Sequence, residues 1–168
     1  GVEIGVVEGV QGIAWWRINM HGQANHAGTT PLDMRRDPMA AAAEVYAGVL
    51  DYVEAKGNAL CTMGRMRVEP DAINVVPSLA DFTIDYRSYD DATFKEGKAE
   101  VERRLDESAK RRGLTYEKEM TADAQPVHFR PEMVRLVESS AKKRGYTTFK
   151  LPSGAGHDAQ VLAGITPT

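Results

Sequence analysis

Between residues 81 and 87 the chain alternates Phe82, Ile84 and Tyr86 with Asp81, Thr83, Asp85 and Arg87. A period of two fits a strand with one buried and one polar face, and it does not fit a helix. Such a strand needs partners, and the flanking sequence offers three. Residues 13–21 are rich in aromatic and β-branched side chains, and 60–68 and 114–120 read as two more strands. Helical stretches separate them. Asp37-Pro38 is a helix start, because the Asp oxygen caps free amides and proline in the first turn loses no hydrogen bond. Ala42, Val45, Tyr46, Val49, Leu50 and Val53 then recur at helical spacing, and Gly57-Asn58 ends the run in a left-handed turn. From Asp91 to Arg112 a charged segment carries Phe94, Val101, Leu105 and Ser108 along one stripe. Glu100/Arg104 and Glu107/Arg111 are spaced for ion pairs there, and Gly113 closes the helix.

The order β-α-β-β-α-β is ferredoxin-like, with two helices on one face of a four-stranded antiparallel sheet. Its open face and edge strands need cover, so dimerisation is expected. Gly22 to Arg36 reads as a loop. After Gln125-Pro126 the pattern changes to a helix over 131–144 ending at Gly145, a strand over 147–151, and a glycine-rich turn at 153–159 that opens a short helix. The expected fold class is therefore α+β: a ferredoxin-like unit plus part of a second, α/β domain. The start on Gly1 and the stop at Gly164-Ile165-Thr166-Pro167-Thr168 suggest a segment of a longer protein.

With 21 Lys and Arg against 24 Asp and Glu the net charge is −3, so no basic excess points to nucleic acid or an anionic membrane. No apolar run approaches the roughly 20 residues that span a bilayer, and no leader opens the chain. A soluble, non-secreted, cytoplasmic protein is expected. The single cysteine, Cys61, excludes an internal disulfide framework and a thiolate metal cluster, fits a reducing compartment, and is expected to pack as a small apolar side chain.

Several residues could carry chemistry. The loop Gly22-Gln-Ala-Asn-His-Ala-Gly-Thr-Thr-Pro31 sets His26 among small residues that permit close approach of a ligand, unless it is only a turn with an exposed histidine. His21, at a strand end, reads as structural, and the two histidines lack the spacing of a metal-binding helix. Asn74 lies in an unusually apolar connection, where its amide could contact a polar substrate or simply form a turn. Arg87 could grip a carboxylate in a bidentate fork or pair with Asp85 or Asp81. Gly154 and Gly156 free backbone N–H groups at a helix start, while His157 and Asp158 could titrate in a site or cap that helix. The turn lacks the ending of a phosphate-binding loop, and no Gly-x-Ser-x-Gly elbow occurs. The arginine pairs at 35–36, 103–104 and 111–112 read as solvated faces.

Five stretches stand in an order that resembles one family: Gly22–Pro31 around His26, Met34-Arg-Arg-Asp37, Ile73-Asn-Val-Val-Pro77, Asp85-Tyr-Arg87 and Ser153-Gly-Ala-Gly-His-Asp-Ala159. The chain resembles, over almost its whole length, the N-carbamoyl-L-amino acid hydrolase and allantoate amidohydrolase branch of the aminoacylase-type metallopeptidases. The resemblance implies a zinc-peptidase-like catalytic α/β domain with an inserted, dimer-forming lid. On that pattern residues 1–12 end one catalytic segment, 13–121 form the lid and 122–168 begin a second catalytic segment.

The resemblance also implies roles. His26 stabilises the oxyanion of the tetrahedral intermediate. Asn74 and Arg87 bind substrate, with Arg87 on its carboxylate, and Gly154, Ala155, Gly156 and His157 line the same pocket. Some lid groups would serve the neighbouring subunit. The family's two divalent metals, zinc or manganese with cobalt or nickel as alternatives, are held by residues outside this segment, which alone is expected to bind none tightly and to be inactive.

The expected function is hydrolysis of the carbamoyl C–N bond of N-carbamoyl-L-amino acids, with allantoate or a ureido acid such as N-carbamoyl-β-alanine as alternative substrates. The expected partners are a small molecule bearing carboxylate and ureido groups and a second copy of the chain. A different class of reading is a non-catalytic module for dimerisation and substrate gripping.

Overall fold

The computed structural model describes residues 1–168. Its strands are β1 (Ile4–Val10), β2 (Gly12–His21), β3 (Asn25–His26), β4 (Ala59–Thr62), β5 (Met66–Glu69), β6 (Val75–Val76), β7 (Leu79–Ser88), β8 (Thr115–Ala124), β9 (Val127–His128) and β10 (Thr148–Ser153). Its helices are α1 (Pro38–Lys56), α2 (Asp91–Arg112), α3 (Pro131–Lys143) and α4 (Asp158–Leu162). A one-turn 3-10 helix covers Leu32–Met34. No helix is long and apolar enough to cross a membrane.

β4, β7, β2 and β8 lie side by side in that order, all antiparallel, and β5 also pairs with β7. This is the ferredoxin-like arrangement, in which strand alternation decides what faces the helices. Ala14, Trp16, Ile18 and Met20 of β2 and Ala80, Phe82, Ile84 and Tyr86 of β7 are all buried beneath α1 and α2. Val45, Val49, Val101 and Leu105 close the core from the helix side. The opposite sheet face mixes charged side chains, Arg17, Asp85 and Arg87, with Ile13, Trp15 and Leu60.

The helix boundaries follow the capping logic. Asp37 accepts a hydrogen bond from Ala40 N at 3.0 Å and Asp90 from Thr93 N at 2.7 Å, while Gly57 and Gly113 take left-handed conformations at the two C-caps. Ser108 is buried and donates to the Ala41 carbonyl and to Glu44 across the helix pair. Cys61 packs half-buried against the core, and burial pushes its thiol up to about 12.

Four features differ from the sequence reading. The strand expected over 60–68 is two strands, β4 and β5, broken at Met63-Gly64-Arg65, where Arg65 turns to pair with Asp81. β8 runs on to Ala124, past a register shift opposite Trp15/Trp16. Glu107 pairs with Arg103, while Arg111 reaches across to Glu44 on α1, because the tertiary partner is acidic and close. The fourth feature is β1, which forms a separate three-stranded sheet with β9 and, in parallel, β10. Val6 and Val10 of β1 and Val134 of α3 are buried.

Candidate active site

The loop after β2 is not irregular throughout. Asn25 and His26 form β3 and pair antiparallel with Val75 and Val76 of β6, and Ala27 N donates to the Asn74 carbonyl at 2.8 Å. This brings His26 and Asn74, 48 residues apart in sequence, into one cluster with both side chains exposed. The His26 carbonyl accepts from Thr29 N, Thr30 N and Thr30 Oγ1, which folds the loop back on itself. His26 Nδ1 accepts from Gly28 N at 3.1 Å. A neutral imidazole whose Nδ1 accepts carries its proton on Nε2, which leaves Nε2–H as a donor without a partner in the chain.

Sequence reasoning missed Arg35, which had been expected on a solvated face. Its guanidinium is half-buried and donates from Nε to the Thr30 carbonyl at 2.9 Å and from Nη2 to the Ala27 carbonyl at 2.6 Å. Two fixed donors on two loop carbonyls make Arg35 the strut of the His26 loop. The Met34-Arg-Arg-Asp37 motif was the available signal, but spacing alone does not say which arginine turns inward.

The second cluster sits at the other end of the sheet. Arg87 Nε and Nη2 donate to Asp85 at 2.9 and 2.7 Å, and Nη1 donates to the Gly154 carbonyl at 2.6 Å. The Asp85 pair holds the Arg87 proton even more firmly than usual. Of the two sequence readings of Arg87, the ion pair is formed with Asp85, whereas Asp81 is occupied by Arg17 and Arg65. Ser153 Oγ donates to the Ala155 carbonyl at 2.8 Å and tightens the glycine-rich turn. A Cβ on Gly156 would meet only Gln160 Oε1, at 3.0 Å and at the free end of a flexible side chain. His157 is the N-cap residue of α4 without a side-chain cap bond, and its exposed ring stands edge-on to Phe129 at 5.9 Å.

The two clusters are far apart within one chain. Arg87 pairs with Ile13 at the start of β2, while the His26 loop begins beyond His21, where Gly22 N bonds the Ser78 carbonyl. Eight strand steps separate Ile13 from His21, which at about 3.3 Å each is on the order of 25 Å. His21 itself is exposed and takes part only through its backbone pairing with Leu79 and Thr115. No group of three His, Cys, Asp or Glu side chains comes together in residues 1–168 to hold a metal ion, so these residues by themselves do not fit a metal pair.

Residues 9–113 match the family described as the peptidase dimerisation domain, and the chain belongs to that family. Its relatives are amidohydrolases. The N-carbamoyl-L-amino acid amidohydrolase of Geobacillus stearothermophilus is 34% identical over 99% of this chain and 41% of its own length. The allantoate amidohydrolase of Escherichia coli (strain K12) is 30% identical over 100% of this chain and 41% of its own. A crystal structure of an amidase of the hydantoinase/carbamoylase family from Burkholderia vietnamiensis superposes with a TM-score of 0.89 at 35% identity, over 97% of this chain and 40% of that one. The chain thus spans about two fifths of the length of these relatives.

Proposed function

We propose that this chain is the lid-bearing segment of a metal-dependent amidohydrolase that cleaves the carbamoyl C–N bond of N-carbamoyl-L-amino acids. Residues 13–121 act as the lid, and residues 1–12 and 122–168 belong to the catalytic domain. The separate sheet of β1, β9 and β10 supports that division. The observation that carries the reading is the Arg87 guanidinium, which joins the five-stranded sheet to the Gly154 turn and so sets a carboxylate receptor at the junction of the two units.

In this reading Arg87 takes the substrate carboxylate, Asn74 exchanges hydrogen bonds with the ureido group, and Gly154, Ala155, Gly156 and His157 line the pocket from the catalytic side. His26 donates from Nε2 to the oxygen that gains charge as the carbonyl carbon becomes tetrahedral, a stabilisation worth most in a site closed to water. The family's divalent metals would supply the activated water and polarise the carbonyl, held by residues beyond this segment. The separation of the two clusters supports a homodimer in which His26 and Asn74 of one subunit complete the site holding Arg87 of the other. The single free cysteine, Cys61, supports a reducing, cytoplasmic compartment.

The test is ammonia release by the full-length, metal-loaded protein from a panel of N-carbamoyl-L-amino acids, N-carbamoyl-β-alanine and allantoate. Preferred cleavage of N-carbamoyl-L-amino acids is the expected result. Preference for allantoate or the β-alanine derivative keeps the chemistry and changes the substrate, and silence across the panel rejects the reading.

A further inference from the structure

We infer that Asp85 and Trp15 are positioning residues that fix Arg87 as a geometric receptor for a planar carboxylate, an inference that rests on the function proposed above. Asp85 and Arg87 stand two residues apart on β7, on the helix-free face of the sheet, where β-strand geometry places them side by side. Both Asp85 oxygens accept from Arg87, one from Nε at 2.9 Å and the other from Nη2 at 2.7 Å. Two parallel bonds define the plane of the guanidinium as well as its place. Trp15 pairs with Asp85 across β2 and β7, and its ring lies 5.9 Å from the guanidinium carbon. This tryptophan is 42% exposed on the helix-free face, whereas its neighbour Trp16 is buried and bonded to Glu102. A large aromatic side chain in that position serves as a flat wall for the cation.

Counting donors gives the consequence. A guanidinium has five N–H groups; Asp85 takes two and the Gly154 carbonyl takes one, which leaves one on each Nη nitrogen. Those two suit the fork of a carboxylate. Asp85 also cancels the charge of Arg87, so the site selects its ligand by the direction of two fixed donors and not by net positive charge.

Charge and geometry make opposite predictions for Asp85→Asn. The substitution adds one positive charge to the site, so attraction alone would lower KM. Loss of orientation raises it. We expect KM of full-length, metal-loaded enzyme to rise about tenfold for a carboxylate-bearing substrate of the panel, with a smaller fall in kcat. In an Arg87→Lys background the same change should add little, because there is no longer a planar fork to orient. Asp85→Glu should recover part of the loss, and Trp15→Ala should raise KM about threefold while Trp15→Phe does not. Trp15→Ala keeps the test open if Asp85→Asn fails to fold.

An unchanged or lower KM in Asp85→Asn, or an equal rise with and without Arg87, overturns the inference while leaving the hydrolase reading intact. If the wild type turns over nothing in the panel, calorimetric titration with N-carbamoyl-L-alanine reads Kd on the same variants. Binding that Asp85→Asn weakens, without turnover, overturns the hydrolase reading alone. No binding to the wild type overturns both.

Discussion

In the proposed function His26 and Arg87 have different roles, and their kinetics should differ accordingly. His26 keeps Nδ1 occupied by Gly28 N and offers Nε2–H, a donor whose value rises as the carbonyl oxygen gains charge. His26→Ala should therefore lower kcat about a hundredfold with little change in KM, whereas Arg87→Ala, which on that proposal removes a contact made in ground and transition states alike, should act mainly on KM. Arg35 links to the first effect. Because it bonds only loop carbonyls, Arg35→Met should lower kcat about tenfold in wild type and add almost nothing to His26→Ala. Steady-state kinetics of the two single variants and the double variant of the full-length enzyme check this, and additive losses would show that Arg35 acts elsewhere.

At the scale of elements, the two helices are tied at one end by Glu44 of α1, which accepts from Arg111 and Arg112 near the end of α2 and from Ser108. The Arg112 bond, more than any other contact, holds the Glu44 carboxyl down to about 2 from its usual 4.5. A carboxyl with a depressed folded pKa stabilises the fold fully above its unfolded value and loses that contribution as pH falls from about 4.5 to about 2. The side chain is 35% exposed, so solvent screening limits the contribution to about 1 kcal/mol. Thermal melts of the full-length protein should show wild type above Glu44→Gln at pH 6, with the gap narrowing below pH 4.5 and closing only near pH 2. Parallel curves over that range would mean the tie contributes nothing. Elsewhere the helices were legible down to three of their caps, since Asp37, Gly57 and Gly113 act within a few residues of themselves, while the Asp90 cap of α2 is seen only in the structure. The break between β4 and β5 was not, because it is set by Arg65 finding Asp81 on a neighbouring strand.

For the whole molecule, the distance between the His26 and Arg87 clusters sets the prediction. If each active site takes Arg87 from one subunit and His26 from the other, a mixed dimer of His26→Ala and Arg87→Ala chains contains one intact site and one doubly defective site. Unfolding and refolding the two variants together should restore about a quarter of wild-type activity, half of the dimers being mixed with one good site in two. Sites built within one chain would give no recovery, and a monomer by light scattering at micromolar concentration would remove the basis of the experiment.

What the sequence determined by itself is local and periodic. Strand alternation, helical spacing and capping residues are properties of neighbours along the chain, and they yielded the βαββαβ order and the stripes that form its core. The motifs also singled out His26, Asn74, Arg87 and the 154–157 turn. The tertiary structure alone decided which of these meet. Pairing of β3 with β6 joined His26 to Asn74, and the Arg87 contact with Gly154 spans 67 residues. It also turned Arg35 inward and set the two clusters at opposite ends of β2, since hydrogen-bond partners distant in sequence leave no period to read.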